Sequence, residues 1–185
     1  MNRTGLIRLG GLAAMVGGVA SVALWIWVRG DWLGSPLATP TTHLLIVGAM
    51  AAIVSLHALQ SPHYGLRGAV ASLAAFLGLA MYLVGAGVAY ARGDFWLAFR
   101  DTTFLVVLGL LVATVGLIAL GIVTMNVRVL PWWCGVALIA GNPLIEVFLV
   151  IFLGSGWLLG VPWLVVGYAV FRAAKREPER PSRVR

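Results

Sequence analysis

The sequence predicts an all-α fold: a bundle of six transmembrane helices with the N- and C-termini both cytoplasmic. Three observations carry that expectation. Of 185 residues, 61% are apolar and only 10% are charged, against about 25% charged in ordinary globular domains. The charges are nearly absent from six long stretches and crowd into the gaps between them. Each stretch is continuously apolar, without the polar–apolar alternation of a barrel strand, so each reads as a helix.

A helix needs about 20 mostly apolar residues to cross the hydrocarbon of a bilayer. The first stretch covers residues 9–28. A basic segment with Arg3 and Arg8 precedes it, as in a signal peptide. The stretch is long for such a peptide, ends in Trp25-Ile26-Trp27 and has no small-x-small cleavage site, so it is expected to stay as a signal anchor. Gly30, Gly34, Ser35, Pro36 and Pro40 then break the chain before a shorter stretch at 43–59. Ser61, Pro62 and Gly65 separate this from the third stretch, 69–91. Phe95, Trp96 and Phe99 mark an interface before the fourth, 102–125, and Trp132 and Trp133 mark another at the start of the fifth, 130–153. Gly154-Ser155-Gly156 leads into the sixth, 157–171. Residues 1–171 thus form one membrane domain. The basic tail 172–185, with Pro178 and Pro181, is expected to be disordered or to lie on the lipid surface.

Charge sets the expected orientation. With six spans, one side holds Arg3, Arg8, Arg67, Arg128, Arg172, Lys175, Arg176, Arg180, Arg183 and Arg185. The other holds Arg29, Arg92 and Arg100, each with an acidic neighbour in Asp31, Asp94 or Asp101. The positive-inside rule assigns the first side to the cytoplasm. A rival topology, in which Gly141-Asn142-Pro143 turns the fifth stretch into a re-entrant half-helix, would leave the basic tail outside. The net charge of +7 accordingly points to anionic lipids at the cytoplasmic face, with head-group contacts from Arg172, Lys175 and Arg176, and not to nucleic acid.

Glu146 is the one acid inside a predicted span. A carboxylate at the bilayer centre costs about 2.5–3.5 kcal/mol on insertion scales, so such residues are usually retained for a use. Asn142 lies four residues earlier on the same helix face. Pro143 has no N–H to give the carbonyl of Ile139. Glu146, Asn142, Pro143 and the Ile139 carbonyl therefore form a candidate intramembrane polar site for a cation, a polar head group or a relayed proton. In the structural alternative, Glu146 pairs with Arg100 or Arg92 in the outer loop, or sits protonated against Asn142.

His43 and His57 are fourteen residues apart, close to four helical turns, and so share a face about 21 Å apart. A two-haem arrangement would need a second pair, and the only other histidine is His63. No cofactor and no metal site is expected. The motifs HExxH, GxSxG and GxxxxGK are absent, and Cys134 is the only cysteine. Small residues recur at helical spacing, as at Gly17 and Ser21, Gly78 and Gly85, and Gly109 and Gly116. Such stripes let neighbouring helices, or a second copy of the chain, approach closely.

Leu130-Pro131-Trp132-Trp133 with Gly135 and Gly141, followed by Trp163, Gly167-Tyr168 and a basic tail, resembles small uncharacterised multi-pass membrane proteins of bacteria. The likeness covers the last third of the chain and implies a bacterial inner (plasma) membrane. The functional expectation is a non-enzymatic accessory, interaction or membrane-embedded binding protein, with a membrane-protein partner or a homo-oligomer. The alternatives are a small transporter or proton-coupled carrier using Glu146 and Asn142, and an intramembrane enzyme acting on lipid.

Overall fold

Continuous apolar runs with few breakers leave the backbone one way to satisfy its own polar groups, the helix. The structure, a computed structural model, describes residues 3–28, 38–91, 95–145, 158 and 160–176. Helix is the only regular structure among them: α1 (Arg3–Val28), α2 (Ala38–Ala91), α3 (Phe95–Val127), α4 (Trp132–Ala140) and α5 (Gly160–Arg176). The all-helical expectation therefore holds. Three helices are long and apolar enough to cross a membrane, over Arg3–Trp27, Pro40–Val88 and Phe104–Val127. Only 44%, 33% and 44% of their most apolar windows are buried inside the molecule. Most of that apolar surface faces outward, as on Val19, Leu77, Phe104 and Val115. Water would penalise such a surface, whereas lipid tails would not.

The predicted stretches 43–59 and 69–91 both fall in α2, a 54-residue element that is two helices joined at a kink. The kink is a single residue, Gly65, at φ 58° and ψ −152°. That region of backbone space is essentially glycine's alone. The chain folds back there. Ile53, Val54 and His57 before the kink line one crevice with Ser72, Leu73 and Phe76 after it. In a straight helix Ile53 and Phe76 would stand about 35 Å apart.

Close seams order the helices. On α1, Gly10 and Gly17 meet Ser55 and Leu45 of the first half of α2, while Gly11 and Gly18 meet Gly167 and Gly160 of α5. Residues seven apart lie on one face, and the adjacent doublet lies about 100° round the helix. One helix thus presents two small-residue faces to two neighbours. The second half of α2 packs antiparallel on α3, with Gly78 on Ala113 and Gly116 on Ala75. Gly121 of α3 meets Gly135 of α4, and Gly141 lies against Pro162 and Trp163 of α5. Added side-chain atoms at most of these glycines would run into neighbouring backbone, so the small residues set how near the helices come.

Two features close α3 and open α4. Arg128 takes the left-handed conformation, φ 55°, that ends helices. Pro131 then starts the next turn, its carbonyl accepting from the Cys134 N–H at 3.0 Å. The start of α1, the Gly65 kink, the α3–α4 junction and the end of α5 all gather at one end of the bundle. Arg3, His63, Pro131 and Arg172 line a common cavity there.

Candidate functional site

The sequence pointed first to Glu146 and the groups around it. Glu146 and Arg92 lie outside the described residues, as do the side chains of Arg100 and Arg176. Asn142, Pro143 and Ile139 are described, and they form one hydrogen-bonded unit. Helix α4 stops at Ala140, with Gly141 donating to the Ala137 carbonyl at 2.8 Å. Helical geometry resumes at Pro143. Asn142 is the N-cap of this restart: Oδ1 accepts from the Leu144 and Ile145 N–H groups, each at 3.1 Å. Proline at the first helical position has no N–H to leave unsatisfied. Nδ2 of Asn142 turns back and donates to the Ile139 carbonyl at 2.5 Å. Thr114 Oγ1 on α3 approaches Oδ1 at the long distance of 3.5 Å.

The carbonyl that Pro143 frees is therefore served by the neighbouring amide, and the amide has spent both ends. These partners also fix which end of the amide is oxygen. Asn142 is 1% exposed. Two of the three groups proposed as ligands are engaged with each other, and over residues 132–145 the fifth predicted stretch is a helix that breaks at Gly141 and is recapped by Asn142.

The same physics recurs at the basic end. Pro62 lies inside the helical first half of α2 and cannot donate to the Ala58 carbonyl four residues back. Arg3 fills that gap. Its Nη2 donates to Ala58 O at 2.6 Å and its Nε at 3.2 Å, so the start of α1 is tied to the end of the α2 first half. Sequence reasoning missed this link. Pro62 signalled the free carbonyl, but nothing local signalled a donor 55 residues away.

Beside the kink, Tyr64 Oη lies 2.6 Å from His57 Nδ1 and 3.2 Å from Ser72 Oγ, bridging the two halves of α2. Thr124 Oγ1 of α3 donates to Gln60 Oε1 at 3.2 Å. Ser55 Oγ turns to the Ala51 and Leu6 carbonyls. The buried Gln60 Nε2 has no partner among the described residues. His43, at the far end of α2, stands near Gly87. Among the described residues no three His, Cys, Asp or Glu side chains converge.

The residues expected to contact lipid head groups, Arg172, Lys175 and Arg176, belong to the end of α5. Arg172 lines the basic-end cavity, and Lys175 Nζ sits 5.2 Å from the Phe171 ring centroid, within cation–π range.

These features define a class: an all-helical bundle of the transmembrane type, with small-residue seams and interior polar groups that mostly bond one another. Comparison with family models, curated proteins and solved structures finds no match to the chain.

Proposed function

We propose that the chain is a six-span protein of the bacterial plasma membrane, with both termini in the cytoplasm. It acts without catalysis, as an accessory or interaction subunit or a membrane-embedded binding protein. The observation that carries the non-catalytic part is the state of the interior polar groups. Asn142 caps a helix and binds the Ile139 carbonyl. Tyr64, Gln60, Thr124 and Ser55 tie helices together. Groups committed in this way hold a bundle and have little capacity left for a transported ion. The engaged Asn142 weighs against the carrier alternative in particular.

Six spans are supported by the fold-back at Gly65, which divides one 54-residue element into two helices, each long enough for one crossing. They are supported also by the antiparallel packing of α5 on α1. The orientation is supported by Arg3 and Arg172 meeting at one end, because basic residues concentrate on the cytoplasmic side. Anionic lipids of that leaflet are the natural partners of this end. Paired C-terminal fusions test the topology: a fluorescent protein that matures in the cytoplasm should glow, and a phosphatase active only outside should stay silent. A silent fluorophore with an active phosphatase would refute it. Gentle detergent extraction tests the accessory role, which predicts a stable partner or homo-oligomer. A monomer with its own turnover would contradict it.

A further inference from the structure

We propose that the cavity at the basic end is a binding site for the phosphate of an anionic phospholipid headgroup, a site that rests on the membrane topology proposed above. The cavity has a volume of about 290 Å³. Its lining combines two guanidinium groups, Arg3 and Arg172, with His63, Trp133 and Tyr168, and none of the described lining residues is Asp or Glu. The floor is apolar, with Leu59, Leu130 and Ala173. Such a lining suits a ligand with an anionic end and an apolar stem.

Three physical points narrow the occupant. The first is preorganisation. Arg3 is held by the Ala58 carbonyl, a bond that exists because Pro62 cannot make it. Guanidinium groups match phosphate oxygens in a planar fork, which an ammonium does not.

The second is size. Pockets that take whole drug-sized ligands span about 300–1,000 Å³. This cavity lies at the lower limit, so it holds a headgroup but not two acyl chains. The chains would lie outside it, along helix faces that already expose large apolar side chains such as Val136.

The third is depth. Trp133 and Tyr168 are both solvent-accessible in the bundle, and such amphipathic rings sit at headgroup level. Basic pockets between helices on the cytoplasmic side are where anionic headgroups are held.

The full-length protein, purified in neutral detergent, should retain phosphatidylglycerol over phosphatidylcholine when both are supplied equally, scored by native mass spectrometry. Arg172→Gln should cut that preference about fivefold, from about 1 kcal/mol per basic residue near an anionic surface. Ala173→Leu should also lower it by filling the floor with charge unchanged. Arg67→Gln, at the same end but outside the cavity lining, should leave it near wild type. Equal retention of the two lipids would overturn the site, as would equal loss in Arg67→Gln and Arg172→Gln, since that pattern means diffuse surface charge. Inorganic phosphate should not displace the lipid, and displacement would make a soluble anion the occupant. If Ala173→Leu fails to fold, the comparison of the two arginine variants decides alone. The fusion experiment separates the two levels. A cytoplasmic C-terminus without lipid preference refutes the site only, whereas an external C-terminus refutes the topology beneath it.

Discussion

Replacing Asn142 with alanine should destabilise the bundle strongly, and the bonds around it give the size. The side chain serves two N–H groups of a restarting helix, Leu144 and Ile145, each at 3.1 Å. Loss of an N-cap costs about 0.5–2 kcal/mol. It also serves the Ile139 carbonyl, whose remaining donor, the backbone N–H of Asn142, stands at the long distance of 3.4 Å, and losing a hydrogen bond costs about 0.5–1.5 kcal/mol. The Thr114 contact, at 3.5 Å, adds least, because intramembrane side-chain hydrogen bonds average only about 0.6 kcal/mol. Together the loss is about 1–4 kcal/mol. For a chain of this length that is a fall in melting temperature on the order of 10 °C. Asn142→Ser keeps an oxygen for the cap but has no amide to send back to Ile139, so it should recover about 1 kcal/mol of the loss. Thermal melting of a fluorescent fusion in detergent, followed by size-exclusion chromatography, measures both variants. An alanine variant that melts within a degree or two of wild type would show that the break is held by something else. A wild-type melting temperature combined with lost binding or transport would restore Asn142 as a ligand.

Two further outcomes follow from the α2 hairpin. Gly65→Ala should cost about 1–3 kcal/mol from backbone strain alone, because an added Cβ there meets nothing within 4 Å. A neutral effect in the same melting assay would show that the kink is not held at φ 58°. Arg3→Ala should destabilise the wild type by about 1 kcal/mol and should cost less in a Pro62→Ala background, where the backbone regains the N–H that serves Ala58. A double-mutant cycle reads that coupling, and strictly additive effects would contradict it.

Much of the fold was legible because lipid allows so few solutions. Continuous apolar runs predicted helices, and Ser61-Pro62-Gly65 marked the reversal between the second and third stretches. The reversal itself is tighter than the gap suggested, since one glycine in a region closed to other residues does the work of a loop. Of the doublets Gly10-Gly11 and Gly17-Gly18, only Gly17 was picked out from the sequence, and there with Ser21 four residues on. A small-residue spacing shows that a face is small, but not that two adjacent faces of α1 serve α2 and α5 separately. Such assignments depend on helix order, which no local pattern encodes.

The candidate site divides along the same line. Pro143 signalled that the Ile139 carbonyl needs another donor, and Asn142 was read as sharing a helix face with Glu146. What spacing could not tell is that the two would satisfy each other, since that depends on the helix stopping at Ala140 and restarting at Pro143. The parallel case at Pro62 was open to the same rule and ends differently. There the freed carbonyl recruits a charged side chain from the start of α1, 55 residues away. A proline in a membrane helix thus creates one unmet acceptor, and the donor that answers it decides the outcome. An amide next door closes the break on itself, whereas an arginine from another helix ties two helices together at one end of the bundle.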